Sequence, residues 1–306
     1  MLQLFTAGMK ISVVTPSYNQ GAYLEATLRS LIDQNYPDLE MIVIDGGSTD
    51  GSVEIIQRYA PQLSYWESAK DRGQSDALNK GFTHVHGDIW SWLNSDDLLE
   101  PGTLQRVAEA FRQDPDVGVV YGDCVYVAQD GETVVDKYLV EQFSRLGLLA
   151  RCFLAQPSCF FRTSMVSPNV RADLHYCMDY DLALRTAARG VKFHYVPEVF
   201  SRYRLHDESK SISAIVSMRA EVLDELYRPL LRAGASAEER RAIAQAAGDM
   251  IQQLNTLGAR GAVLRTLLFH IFEARILPPP ILLNLGLQAI VGPQVVRWVQ
   301  SWKGKT

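Results

Sequence analysis

Two acidic clusters dominate the chemistry this sequence can offer. Asp45, with Asp50 close behind it, follows the apolar run 41–44, and Asp96-Asp97 follows the run 89–93. Adjacent carboxylates repel one another and are costly to ionise together in a partly dry cleft. A divalent cation relieves that repulsion. Carboxylate oxygens suit Mg²⁺ or Mn²⁺, ions that also accept oxygens from a substrate phosphate. The plainer reading is a solvated turn or a helix N-cap, where Asp is common. The turn Gly46-Gly47-Ser48-Thr49-Asp50-Gly51 could let backbone approach a nucleotide, or could be an ordinary strand-to-helix connection.

Asp179 and Asp181 form a third acidic site. At a helix start their side chains point about 200° apart, so both are not expected to face one ligand. Arg185 lies four residues after Asp181, the spacing of an intrahelical ion pair. Asp179 is left as the candidate general base, against the alternative that both acids simply favour the helix dipole. His206 is a lone histidine, structural unless partners make it a metal ligand.

The elements that must position these groups alternate. Residues 11–15 form a β-branched run before Pro16, which reads as a buried strand ending there. Leu24, Leu28, Leu31 and Ile32 predict a helix over 22–34, and Val53, Ile56 and Tyr59 a second after the strand 41–44. A strand over 89–93 leads to a helix through Leu104, Val107, Ala108 and Phe111. Strands follow over 117–121 and 192–196, with a helix over 181–189 between them. Such alternation predicts βαβ units and a mixed, mainly parallel α/β sheet flanked by helices. Beyond about Ser211 strand signals vanish, and Ser236 with Glu239 has the form of a helix capping box. The division predicted is a catalytic domain over 1–210 and a helical region over 211–306.

The 306 residues are 47% hydrophobic and 21% charged, the balance of an ordinary globular protein. A net charge of −5 argues against a general nucleic-acid binder. The four cysteines contain no C-x-x-C pair, and residues 1–10 lack the pattern of a secretory signal, so a cytoplasmic setting is expected. From Leu257 onward six basic residues face one acid, a net +5, which leaves −10 for the first 256 residues. Arg297, Trp298, Trp302 and Lys303 have the chemistry of an interfacial anchor, giving a peripheral contact with the inner face of the cell membrane. A helical subdomain packed on the core is the equal alternative. The apolar stretch 281–291 is too short and too polar to span a bilayer.

In this order the motifs resemble glycosyltransferase family 2, whose fold is the Rossmann-like GT-A type. They are Thr15-Pro16-Ser17-Tyr18-Asn19, Asp45-Gly46-Gly47-Ser48-Thr49-Asp50-Gly51-Ser52, Asp71-Arg72-Gly73-Gln74-Ser75-Asp76-Ala77-Leu78-Asn79-Lys80-Gly81 and Trp92-Leu93-Asn94-Ser95-Asp96-Asp97. The Asp179 segment and Arg204-Leu205-His206 complete the set, which covers about residues 10–210. The resemblance implies an inverting transfer of sugar from a nucleotide diphosphate donor, UDP by default with dTDP and GDP open. The acceptor would be a saccharide or lipid-linked hydroxyl in polysaccharide or glycolipid synthesis. It implies that Pro16, Tyr18, Asn19, Asp45, Gly46, Asp71, Lys80, Asn94 and Asp96 serve the donor site. By the same resemblance Asp97 and His206 hold Mg²⁺ or Mn²⁺, and Asp179 is the base. Asn94 replaces the first acid of the family's Asp-x-Asp motif. Gly46 stands where many members carry a second consecutive acid, which bears on base or ribose recognition. A glycoside hydrolase would also need two carboxylates, but not a metal-suited pair beside a glycine turn. A catalytically dead transferase fold serving as a sugar-binding or scaffold protein is the other alternative, and Asp97, Asp179 and His206 argue against it.

Overall fold

The computed structural model describes residues 8–206, 214–269 and 273. The chain divides into two compact units: Met1–Phe143 with Phe153–Ser209, and Ser144–Cys152 with Lys210–Thr306. The short helix Arg145–Ala150 therefore groups with the C-terminal helices, although it interrupts the first unit in sequence.

The first unit opens with β1 (Ile11–Ser17), α1 (Gly21–Ile32), β2 (Leu39–Asp45), α2 (Ser52–Tyr59), β3 (Tyr65–Ser68), α3 (Gln74–Phe82) and β4 (Ile89–Trp92). It continues with β5 (Leu98–Leu99), α4 (Thr103–Gln113), β6 (Val117–Val127), β7 (Val134–Lys137), β8 (Cys159–Arg162), α6 (Met178–Ala188) and β9 (Lys192–Arg204), Arg145–Ala150 being α5. The strands form one sheet in the order β3-β2-β1-β4-β8-β6-β9-β5, with β7 paired to β6. β3, β2, β1 and β4 are mutually parallel, as is β6 with β9, while β8 runs antiparallel to both its neighbours. The result is the mixed α/β sheet with flanking helices that the alternating pattern predicts.

β4 shows why helices cover both faces. Ile89 and Leu93 join the core cluster formed with Leu24 and Leu28 of α1 and Leu104, Val107 and Phe111 of α4. Trp90 and Trp92 point to the opposite face, as period-two side chains must. There Phe82 of α3 meets Trp90 edge-on at 4.9 Å, and Phe161 of β8 stacks on Trp90 at 4.5 Å. Each fully buried aromatic side chain contributes about 1.5–3 kcal/mol of apolar burial. Gly81 lets α3 lie against β1: a β-carbon there would stand 3.1 Å from Ile44 and closer still to Val14.

Two strands run past prolines, the first of which, Pro16, was expected to end its strand. β1 continues through Pro16 to Ser17 because its pairing with β4 has stopped at Val14. The missing N–H of Pro16 therefore costs no bond on that side. β9 passes Pro197 through a bulge, since Gly122 pairs with Val196 and Asp123 with Val199.

In the second unit Ser236 and Glu239 close the capping box that opens helix Ala237–Thr256. Ile243, Ala247, Ile251 and Leu254 bury one stripe of that helix, and Tyr227 donates a hydrogen bond to the Leu149 carbonyl at 2.9 Å. Among the described residues no helix is long and apolar enough to cross a membrane. The expected interfacial anchor, Arg297 to Lys303, lies outside the described residues. All four cysteines are free thiols, three of them buried.

Candidate active site

The parallel order β3-β2-β1-β4 sets four loops side by side at the carboxyl edge of the sheet, where open α/β sheets place their ligands. Asp45 ends β2 and is fully buried. Its Oδ2 accepts from the backbone N–H of Gly47 at 3.0 Å and of Ser48 at 2.9 Å, and from Ser68 Oγ at 2.7 Å. The Ser48 hydroxyl donates to its other oxygen. Asp45 thus shapes the loop from beneath. Asp50 does similar work: its carboxylate accepts from Gly21 N–H at 2.8 Å and from Ser52 Oγ at 2.6 Å. Burial raises its pKa, but these hydrogen bonds outweigh burial and hold it below the usual value.

Asn19 joins the first two loops. Its N–H donates to Ser48 Oγ at 2.8 Å and its Oδ1 accepts from Thr49 N–H at 3.0 Å, with the backbone at a φ of 50°. Beside it Tyr18 is 62% exposed, its ring against Gly46. Asp71, in the loop after β3, accepts from Gly73 N–H at 2.8 Å. Lys80 is placed differently. It sits on α3 six residues past the helix start, about 9 Å along the axis. It lies 3.7 Å from Glu67 and 3.9 Å from Asp76. Its neighbours are thus the carboxylates of Glu67 and Asp76, an ion-pair setting.

Past β4 the chain turns through Asn94 to Asp97, and β5 pairs at once with β9, Leu98 opposite Arg202 and Leu99 opposite Ser201. That pairing carries Arg204 and His206 back to the acidic pair. Arg204 N–H donates to Asp97 Oδ1 at 3.1 Å, and Arg204 Nε to the Asp96 carbonyl at 2.8 Å. His206 Nε2 lies 3.0 Å from Asp96 Oδ2. The sequence expectation joined His206 with Asp97; the two converge on this turn, where His206 contacts Asp96. Asp97 is 1% exposed, and burial, with the neighbouring Asp96 charge second, pushes its carboxyl well above the usual range.

Asn94 stands at the centre of an amide network that the sequence did not reveal. Gln74 Nε2 donates to its Oδ1 at 2.7 Å, and its Nδ2 donates to Gln156 Oε1 at 3.2 Å and to Asp97 Oδ2 at 3.4 Å. Gln156 Nε2 in turn donates to the Trp92 carbonyl at 2.7 Å. Gln74 was visible inside a motif, but Gln156 has no local signal and arrives only through the β8 crossing.

Asp179 lies half-buried in the first turn of α6. Arg185 Nε donates to Asp181 Oδ2 at 2.6 Å, the pair expected from the i, i+4 spacing. The segment leading into α6 is tied to α3: Ser75 Oγ donates to the Leu174 carbonyl, and Asn79 exchanges two hydrogen bonds with Val170. Since Gln74 of α3 also holds Asn94, one helix anchors both the Asp96-Asp97 loop and the approach to Asp179. Among the described residues no group of three or more His, Cys, Asp or Glu side chains forms a ready-made metal cage.

The family model Glycosyl transferase family 2 matches residues 12–164, half of the chain. The chain belongs to that family. It is 27% identical over 209 residues to the chondroitin synthase of Escherichia coli, covering 67% of this chain and 30% of the relative. The chain spans 30% to 52% of the length of the first curated relatives it matches. Among solved structures it is similar to S. aureus TarS 1-349 in complex with UDP-GlcNAc, with a TM-score of 0.59, 17% identity and coverage of 93% and 92% of the two chains. It is also similar to a mannosyltransferase from Pyrobaculum calidifontis in complex with GDP-Man and Mn²⁺, with a TM-score of 0.56, 21% identity and coverage of 94% and 89%. These likenesses establish the GT-A type of fold.

Proposed function

We propose that this chain transfers a sugar from a nucleotide diphosphate donor, UDP-linked by default, to a saccharide or lipid-linked hydroxyl, inverting the anomeric carbon. The observation that carries this reading is the convergence of Asp96, Asp97, Arg204 and His206 at the carboxyl edge of β4, beside the loops of Tyr18, Gly46 and Asp71. Pro16, Tyr18, Asn19 and Gly46 line the nucleotide end in this reading, with Asp45 supporting them from below. The relatives and structural neighbours include a chondroitin synthase and proteins in complex with UDP-GlcNAc or GDP-Man, which supports a nucleotide-sugar donor.

The donor set fits Mg²⁺ or Mn²⁺. Asp96 and His206 are 3.0 Å apart, and burial, with the neighbouring Asp96 charge second, pushes the Asp97 carboxyl well above its usual range, so a cation beside the pair would favour the ionised form of both acids. Asp96 and His206 would hold the ion, with Asp97 as the inner carboxylate and phosphate oxygens completing the shell. A bound divalent ion offsets the charge developing on the departing diphosphate. Asn94 keeps a neutral amide where a third carboxylate would add repulsion. Asp179 takes the acceptor proton while the acceptor oxygen bonds to the anomeric carbon and the carbon–oxygen bond to the diphosphate breaks.

Asp179→Asn tests the assignment. It is expected to lower transfer at least about 100-fold, within the usual range for loss of a general base, with donor affinity nearly intact. Substantial transfer by this variant would contradict the assignment. Donor binding by the wild type, without turnover on any saccharide or lipid-linked acceptor, would favour the sugar-binding scaffold instead.

A further inference from the structure

Arg204 is a buried cation beside two carboxylates, and its guanidinium is aimed at carbonyls instead. Nε donates to the Asp96 carbonyl at 2.8 Å, and Nη1 donates to the Gln129 carbonyl at 2.6 Å. It is the backbone N–H of Arg204 that reaches the Asp97 carboxylate. An arginine fork beside a carboxylate ordinarily takes it with two parallel hydrogen bonds. Something must hold this one in another direction.

Tyr23, in the first turn of α1, and the turn between β6 and β7 supply the hold. The Arg204 Cζ lies 5.0 Å from the centre of the Tyr23 ring, a cation–π distance. The Tyr23 hydroxyl accepts from Gln129 Nε2 at 3.0 Å, which ties the ring to the residue whose carbonyl the guanidinium uses. Gly131, at a φ of 78°, leaves the room: a β-carbon there would stand 2.6 Å from Arg204 Nη1. The same ring serves His206. The imidazole centre lies 4.6 Å from that of Tyr23, the planes tilted by 38°, and the His206 side chain is 2% exposed. With the ring against it, His206 points Nε2 at Asp96 Oδ2.

We propose that Tyr23 is a positioning residue for a divalent cation at Asp96 and His206. Its ring fixes the imidazole and keeps the Arg204 guanidinium off the acid pair, so that the carboxylate charge is left for the ion. Without the ring, the guanidinium is free to turn to the carboxylates beside it, and a charge-assisted pair there competes with the ion for the same oxygens. A histidine ligand also depends on the outer contacts that hold its ring. The inference rests on the metal reading above and adds what keeps that site open to a cation.

The test is Mn²⁺ binding to the full chain, alone and with UDP or GDP, followed by electron paramagnetic resonance of the free ion, which needs no turnover. Tyr23→Leu is expected to weaken Mn²⁺ at least about tenfold, the usual cost of losing a group that orients a ligand. Tyr23→Phe keeps the ring and should stay within about threefold of the wild type. Arg204→Gln added to Tyr23→Leu removes the competing cation and should recover at least about threefold, whereas a merely loosened fold would lose affinity again. Melting of the metal-free proteins reads the fold separately, and Tyr23→Met, which also lacks a ring, replaces a leucine variant that does not fold. A folded ringless variant with wild-type Mn²⁺ affinity overturns the proposal and leaves the metal reading intact, as does a double variant weaker than Tyr23→Leu alone. A folded wild type that binds no Mn²⁺ under either condition overturns both.

Discussion

Asp96 and Asp97 are neighbours in sequence with different surroundings. Asp96 faces His206 at 3.0 Å with a side chain 22% exposed, while Asp97 is sealed beneath it. The pair was legible as a cluster, but not which member turns outward. That depends on Arg204 N–H reaching Asp97 from 107 residues away. Asp179 and Asp181 differ for a local reason that was legible: Arg185 lies one turn beyond Asp181 and ties it down. Asp181 is buried and its partner is 41% exposed, which screens the pair. Asp181→Asn is expected to lower unfolding free energy by about 1–2 kcal/mol in chemical denaturation, with transfer retained. Loss of transfer at unchanged stability in this variant would exchange the roles of the two acids.

At the scale of elements, the long helices and the parallel strands were readable because each follows its own periodicity. The parts that complete the site were not. β5 has two residues and no sequence signature, yet its pairing with β9 brings His206 to Asp96. β8 and the later half of β9 exist through non-local pairing, and β9 runs on past Pro197 through a bulge. The opposite edge of the sheet is held by Glu40, 5% exposed, at the start of β2. It accepts from Lys10 Nζ at 2.7 Å, from Ser12 Oγ and from His86 N–H at 2.9 Å, joining the approaches to β1 and β4. Burial raises its pKa, but the Lys10 and Ser12 hydrogen bonds, with His86, bring it below the ordinary value. A depressed carboxylate stabilises the fold above its unfolded pKa, and that stability is lost as pH falls through the folded value. Glu40→Gln should therefore cost about 1–3 kcal/mol at pH 7, and its deficit should vanish under acid, below the folded-state pKa. A deficit independent of pH would show that the charge of Glu40 contributes nothing.

For the whole molecule, the expected division falls near residue 210, while helix Arg145–Ala150 groups with the C-terminal helices from within the first unit. Nothing local distinguishes that helix from its surroundings. The basic, apolar tail would give the protein a peripheral membrane contact if it serves as an anchor. In that case the full chain sediments with anionic vesicles at low salt and is released as salt rises. A chain that stays in the supernatant at low salt rules the anchor out.

The central claim is a metal-assisted nucleotide-sugar site built on Asp96, Asp97 and His206, and thermal unfolding tests it without knowledge of the acceptor. A ligand that binds only the folded state stabilises it by about 2.7 kcal/mol at 100 times its Kd. The full chain should melt a few degrees higher with UDP, GDP or dTDP plus Mn²⁺, lose that gain in excess EDTA, and lose it in Asp96→Ala. No rise with any of the three nucleotides, or a full rise that persists in EDTA, would contradict the account.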